Sequence, residues 1–292
     1  MHLTEAKTLL HRGGAGLGMN IYRGCTHGCI YCDSRSLCYG FPHPFEDVEA
    51  KINAPELLEA ALRSRRRACM IGTGSMSDPY VPWERELGLT RRCLEIICRY
   101  GFGLTLLTKS DLILRDLDLL EEINRRAKCV VQMTLTTLDE DLCRILEPGV
   151  CTTRRRAEVL QIMQERGIPT LVWLSPILPF LNDTEENIAG LLELCVRTGV
   201  KGVVCFDMGM TLREGNREYF YAALDRHFPG LKERYIRSFG NAYACSSPNT
   251  DRLMALFRDT CSRNGLLHRP EDCFHYLGQL PEKYEQTKLE LC

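Results

Sequence analysis

Long apolar runs are missing from this 292-residue chain. Charge interrupts every hydrophobic stretch well short of the roughly 20 residues that a spanning helix needs, which excludes a membrane helix. Net charge is nearly absent too: 37 Lys and Arg stand against 38 Asp and Glu, a formal −1. The surface as a whole is therefore not built to hold a polyanion. Any nucleic-acid contact needs a local patch, and the basic runs are Arg63, Arg65, Arg66 and Arg67, and Arg154, Arg155 and Arg156. A solvated helix face is the plainer reading of each. The first residues, Met1 to Lys7, lack the basic-then-apolar layout of a secretory leader, so a cytoplasmic protein is expected. No internal repeat or low-complexity segment is present.

Cysteine, by contrast, is abundant, with 16 in the chain. Disulfide scaffolds are short and secreted, and this chain is neither. Cys69, Cys93, Cys98, Cys129, Cys143, Cys195 and Cys205 fall in apolar-patterned segments, where a reduced cysteine behaves as a small core residue. Three others are different. Cys25, Cys29 and Cys32 stand at C-x3-C-x2-C inside Arg23-Gly24-Cys25-Thr26-His27-Gly28-Cys29-Ile30-Tyr31-Cys32-Asp33. Three crowded thiolates repel one another unless positive charge sits between them, so a metal ion or cluster is expected. A closed zinc site or an electron-transfer iron-sulfur cluster takes four protein ligands. Three thiolates on a [4Fe-4S] cluster leave one iron open, which marks a site that does chemistry. Zinc with His27 as fourth ligand is the competing assignment.

The remaining pattern is an alternation. A short helix over residues 2–16 with a turn at Gly13-Gly14-Ala15-Gly16 is expected first, then a strand at Met19-Asn20-Ile21-Tyr22. Apolar strands around residues 69–71, 104–107, 130–135, 170–174 and 202–206 follow, separated by amphipathic helices. About six β-α units of this kind mean a parallel sheet covered by helices, either a barrel or a doubly wound open sheet. The rhythm stops beyond Met208, and residues 210–292 read as a helical extension. Cys245, Cys261, Cys273 and Cys292 lie in it without a C-x2-C pair, and are read as buried or incidental rather than as an auxiliary cluster.

Chemistry-bearing residues fall at the expected strand ends, where active groups of such barrels sit. Gly72-Thr73-Gly74-Ser75-Met76-Ser77-Asp78-Pro79-Tyr80 follows the second strand, and its small residues let backbone amides approach a ligand. Lys109 closes the next strand and can pair with a carboxylate. Thr134 and Thr136 offer hydroxyls to a ribose or carboxylate. Glu147-Pro148-Gly149 reads as a helix stop, with Arg156 beyond it.

Together these pieces resemble the radical S-adenosylmethionine (SAM) superfamily, and within it the spore photoproduct lyase-related, DNA-repair-photolyase-like branch. The resemblance rests on Tyr22 to Asp33, Ser77-Asp78-Pro79-Tyr80, Thr108-Lys109-Ser110, Thr134 to Asp139 and Leu146-Glu147-Pro148-Gly149. It implies an α/β fold, a partial (β/α)6 barrel, with a core over residues 16–209, an N-terminal helix and turn over residues 1–15, and the helical extension. It implies a [4Fe-4S] cluster on Cys25, Cys29 and Cys32, whose open iron chelates SAM. Reduction of the cluster then yields a 5'-deoxyadenosyl radical that abstracts hydrogen from a substrate. The lyase's SAM contacts map onto Ser77, Lys109 and Thr134, and Tyr31, Ser75 and Arg156 complete the expected cofactor-binding set.

One position departs from that branch. The lyase carries a hydrogen-returning cysteine where this chain has Ser75. The O–H bond of a serine is too strong to serve in that role. The expected substrate is a nucleic-acid lesion or modified base by resemblance, with a peptide or small metabolite as the alternative. A reductant such as flavodoxin or ferredoxin is the expected partner. A non-catalytic metal module and a simple electron carrier are the readings of other classes.

Overall fold

The structure, a computed structural model, describes residues 1–13 and 16–281. Its organising element is a sheet whose strands are apolar on both faces, so neighbours pair in parallel and helices must cover the outside. The chain does not open with the expected helix. Strands β1 (His2–Thr4) and β2 (Leu10–Gly13) take that place. β2 pairs antiparallel with β3 (Gly16–Met19), while Gly14 and Ala15 of the expected turn lie outside the described residues. The strand expected at Met19–Tyr22 thus ends at Met19, and β4 (Tyr22–Arg23) belongs to a second small sheet with β5 (Glu49–Lys51) and β1. Sheet pairing outweighs a weak local helical preference here.

From residue 54 the alternation is regular. Helix α1 (Ala54–Arg63) leads to β6 (Met70–Thr73), and α2 (Glu84–Leu87) and α3 (Leu89–Tyr100) lead to β7 (Gly103–Thr108). α4 (Leu117–Arg126) precedes β8 (Cys129–Thr134), α5 (Glu140–Leu146) and α6 (Thr153–Glu165) precede β9 (Thr170–Trp173), and α7 (Glu185–Arg197) precedes β10 (Gly202–Val204). The sheet runs β10-β9-β8-β7-β6-β3-β2. The first six of these are parallel neighbours in chain order, with β2 antiparallel at the edge. This is an open, partial (β/α)6 barrel, as expected.

The two faces of the sheet do different jobs. Leu104, Leu106, Val131, Met133, Val172 and Val203 point outward into one core with Leu94, Ile97, Leu120, Ile123, Leu160 and Leu191 of the helices. By the two-residue period of a strand, the inner face carries the apolar Met70, Val130, Leu171 and Val204. Thr105, Gln132, Thr134 and Trp173 stand on the same face, with Thr134 and Trp173 side by side at the C-terminal ends of β8 and β9.

The remaining chain forms β11 (Gly209–Thr211), α8 (Asn216–His227), α9 (Leu231–Phe239), β12 (Ala244–Ser246), α10 (Thr250–Arg263) and α11 (Pro270–Gly278). Leu253, Phe257 and Cys261 of α10 join the outer core. Leu267 then adds to the free edge of β10: Val203 N donates to Leu267 O (2.7 Å) and Leu267 N to Lys201 O (3.0 Å). Helix α11 lies on the inner face, where Cys273 and Leu277 pack on Met70, Val130, Leu171 and Val204. Lys128 Nζ anchors its end by donating to the carbonyls of Tyr276 and Gln279. Cys245, Cys261 and Cys273 belong to three separate apolar clusters, so the described residues assemble no auxiliary cluster from them. Cys292 lies outside the described residues. Among the described residues no helix is long and apolar enough to cross a membrane.

Candidate active site

β4 hands the chain directly to the cysteine loop, which has almost no regular structure of its own, so neighbouring segments must hold it. On one side Cys25 N donates to Phe45 O (3.0 Å). Gly24, at φ +87°, permits this: a Cβ there would stand 2.5 Å from that carbonyl. On the other side Ile30 N donates to Leu146 O (2.9 Å), and Gly149 N donates to His27 O (2.8 Å). A side chain at Gly149 would strike His27 O at 2.7 Å. Above, Cys29, Ile30 and Tyr31 bury against Met210, Leu212, Phe220 and Tyr235 of the β11–α9 segment. Arg213 Nε sits 3.2 Å from Asp33 Oδ1 and fastens the loop's far end.

The donor set fits an iron-sulfur cluster better than a zinc ion. Tetrahedral zinc would draw its sulfur ligands to about 3.8 Å of one another, given Zn–S of about 2.3 Å. Among the described residues, no metal-sized group within 4.8 Å includes these cysteines or His27. His27 Nδ1 instead faces Asp78 Oδ2 at 3.5 Å. Burial pushes the Cys25 thiol up to about 12, and burial likewise raises Cys29. Deprotonating these thiols in place therefore calls for a cationic core between them. Backbone amides of His27 and Asp78 add a smaller opposing pull on the Cys25 sulfur.

Behind the loop is a buried polar chain. The Tyr31 hydroxyl donates to Glu147 Oε1. Arg156 Nη2 lies 2.6 Å from Glu147 Oε2, with both side chains wholly buried. Arg156 Nη1 donates to the carbonyl of Thr134 (3.0 Å). Burial raises the Glu147 carboxyl, but the charges of Arg156 and Lys109 outweigh it and leave it below its ordinary range. Arg156 is thus engaged by the protein rather than lying on a surface, and Tyr31 points at the same carboxylate.

Asp78 knits the strand tips together. It accepts from Tyr80 N (2.8 Å), Thr108 Oγ1 (2.7 Å) and Lys109 N (2.9 Å). Gly74, at φ +97°, lies so near Leu107 O that a Cβ would approach to 1.9 Å, so only glycine fits. Ser75 is exposed beside it and Ser77 is buried. Lys109 is half-buried. Burial alone would lower its ammonium, yet Cys29 and Glu147 outweigh that and raise it. Thr134 is buried at the tip of β8, and the hydroxyl of the buried Thr136 has no protein partner among the described residues. Cys29, Tyr31, Lys109, Thr134, Glu147 and Arg156 therefore converge at the ends of β7 and β8. Ser75 and Ser77 sit at the end of β6.

The sequence reading missed two features. One is the role of Asp78, although it stands inside a quoted motif. The other is an aromatic wall on the inner face. Trp173, Phe206 and Phe274 have ring centroids 6.0–6.1 Å apart, and Phe206 is 57% exposed. Gln132 fixes Trp173, accepting from its Nε1 (2.7 Å) and donating to Thr105 Oγ1 (2.6 Å). A strand ending in Trp173 and another ending near Phe206 were the available signals. Cavities of about 820 Å³ beside α6 and α7 and about 600 Å³ around Lys128 and Tyr276 touch neither the cysteines nor this wall.

Replacing Glu147 with Gln should leave the buried Arg156 guanidinium without its counter-charge and destabilise the protein by about 3–5 kcal/mol. Denaturant unfolding of the iron-free protein measures this. A loss below about 1 kcal/mol would place the pair in solvent rather than in the interior.

Three kinds of relative match this chain. The family model of the radical SAM superfamily matches residues 19–195. An uncharacterised protein of Mycobacterium tuberculosis (strain ATCC 25618 / H37Rv) is 32% identical over 225 residues, 74% of this chain and 65% of the relative. An uncharacterised protein of Methanocaldococcus jannaschii is 33% identical over 177 residues, 60% of this chain and 65% of the relative. The matched part of the chain thus spans 65% of the length of these relatives. A spore photoproduct lyase variant superposes with a TM-score of 0.67 at 13% identity, covering 91% of this chain and 80% of that one. A variant of the same lyase with bound AdoMet and dinucleoside spore photoproduct gives 0.62 at 13% identity, with the same coverage. At such identity the likeness is one of fold.

Proposed function

The chain belongs to the radical SAM superfamily, and on that premise we propose that it abstracts hydrogen from a substrate bearing a planar, base-like ring. Its cofactors are a [4Fe-4S] cluster and S-adenosylmethionine. Bound together and reduced by one electron, they supply a 5'-deoxyadenosyl radical. The observation that carries the reading is the three-thiol loop, clamped between Phe45 and Leu146–Gly149 at the strand ends. Cys25, Cys29 and Cys32 are the proposed cluster ligands, with no fourth protein ligand.

This chain's other residues take supporting parts in the proposal. Lys109, beside Cys29 and Glu147, pairs with the cofactor's carboxylate. Ser77 and the Thr134 and Thr136 hydroxyls serve its amino, carboxylate or ribose groups. Ser75, exposed just beyond β6, is available to the same cofactor. Tyr31 and Arg156 are positioning residues, because both act on Glu147 and through it on the loop. Burial of the loop excludes water, which protects a reactive radical from side reactions.

The substrate class rests on the aromatic wall. Trp173 is level with Thr134 in the sheet register, so the wall stands on the cofactor's side of the barrel. Aromatic faces of this kind hold flat rings by stacking. Photoproduct repair by the lyase's own route is not part of the proposal, because Ser75 cannot return hydrogen to a carbon radical. A one-electron donor such as flavodoxin or ferredoxin is the proposed partner.

Alanine at any one of Cys25, Cys29 or Cys32 should strip iron and sulfide from the anaerobically reconstituted protein and end 5'-deoxyadenosine formation. Retained activity in any of the three would remove that residue from the ligand set. Lys109→Ala should keep the iron and weaken SAM binding by about tenfold or more, ~1.4 kcal/mol. Calorimetric titration checks this, and unchanged affinity makes Lys109 a bystander. Phe206→Ser should lower deuterium transfer from labelled nucleobase-bearing candidates into 5'-deoxyadenosine. The expected loss is about 1–3 kcal/mol in substrate binding, with SAM affinity unchanged. Equal transfer in both proteins would end the stacking assignment.

A further inference from the structure

The loop that precedes β5 carries a second set of metal-competent side chains, well separated in sequence from the cysteines. One donor atom each from His2, His43 and Asp47 lies within 4.8 Å of the other two, the only such group among the described residues. His2 Nε2 is 2.6 Å from Asp47 Oδ2, and the two imidazole centroids are 4.6 Å apart. His43 and Asp47 are half-buried.

The backbone presets this arrangement. His2 is fixed on β1 by pairing with Glu49 of β5, and its N–H donates to Val48 O (2.8 Å). Asp47 N donates to Pro44 O (2.9 Å), closing a turn that brings His43 and Asp47 to one side. Pro44 O also lies 3.1 Å from His43 Nδ1. A ring N–H bonded to a carbonyl orients the imidazole and turns Nε2 toward the other donors, the usual arrangement of a metal-binding histidine. Glu49 Oε1 stands 2.8 Å from that Nε2, so a bound ion takes the place of the proton between them and has Glu49 as a nearby oxygen donor. The Met1 ammonium holds Asp47 Oδ1 (2.5 Å), which leaves Oδ2, facing His2, as the ligand atom. Two imidazoles and a carboxylate are a donor set that suits a zinc-class divalent ion.

We propose that His2, His43 and Asp47 bind one zinc-class divalent ion as a structural clip, distinct from the iron-sulfur site. The clip ties β1 to the turn that contains Phe45. Phe45 O is the acceptor for Cys25 N, so the ion steadies one of the two supports of the cysteine loop. The assignment does not rest on the proposed reaction.

The test uses the full chain with its iron-sulfur cluster reconstituted, so that the cysteines are occupied. Metal analysis after exposure to zinc and desalting should find about one zinc per chain beside the iron. X-ray absorption at the zinc edge should show nitrogen and oxygen ligands at about 2.0–2.1 Å and no sulfur at about 2.3 Å. His43→Gln and Asp47→Asn should each weaken zinc binding by more than about 100-fold, beyond what loss of a supporting hydrogen bond costs. Iron content should stay unchanged in both. Zinc should raise the unfolding temperature of the parent chain and not of these variants. No retained zinc, zinc with sulfur ligands, or equal affinity in the variants would each overturn the proposal.

Discussion

A buried carboxylate shared by two donors sets the position of the cysteine loop. Glu147 meets the guanidinium of Arg156 at 2.6 Å and accepts from the hydroxyl of Tyr31, out of contact with solvent. Taking such charges out of water costs several kcal/mol per ion, so the arrangement persists only while each partner stays in place. Its value here is geometric. Tyr31 belongs to the cysteine loop, Glu147 to the segment after α5, and Arg156 to α6, with Thr134 O of β8 closing the chain of contacts. A loop without regular hydrogen bonds of its own is thereby indexed to the parallel sheet. The clamps at Leu146 and Gly149 act on the same segment and tie it to the loop.

The chain beyond β10 supports this arrangement from two directions. Helices α8 and α9 cover the cysteine loop with Phe220, Leu224 and Tyr235, which shields the thiols from bulk water. Helix α11 covers the concave face, where an open barrel would otherwise expose Val130, Leu171 and Val204. α10 does neither. It packs beside α7 in the manner of the crossover helices before it, and Leu267 extends the sheet by a single parallel bridge. The C-terminal part is therefore a cover over the loop (α8 and α9) and a cover over the concave face (α11), with α10 and its single-bridge contact between them.

The core was legible in sequence wherever burial imposed a period. Strands such as Val130–Leu135 and helices such as residues 153–166 announce themselves because both faces, or one stripe, must be apolar. The open parallel sheet followed from that alternation and from the family resemblance. What escaped was set by distant partners. Residues 2–4 and 10–13 became strands because Glu49–Lys51 and Gly16–Met19 offered edges to pair with. Leu267 joins the sheet through two backbone bonds that carry no side-chain pattern. At the site, the thiol spacing was readable because cluster chemistry fixes it locally. Arg156 was not, because a buried and a solvated arginine look alike until Glu147, nine positions earlier in sequence, is seen to fold back onto it.

The register of the sheet divides the mouth of the barrel into two territories. Cys29, Lys109 and Thr134, with the carboxylate they surround, belong to the cysteine loop, β7 and β8. Trp173, Phe206 and Phe274 belong to β9, the end of β10 and α11. The first group is charged and interlocked, so a substitution there disturbs its neighbours. The second is apolar, and its Trp173 is fixed to the sheet by Gln132, which also reaches Thr105. On the proposed reading, cofactor chemistry is held constant by the half of the barrel that carries the buried ion pair. Substrate preference then varies with a wall that contributes little to that network. An open barrel permits this division, because its missing strands leave the wall accessible from the side while the loop stays covered from above.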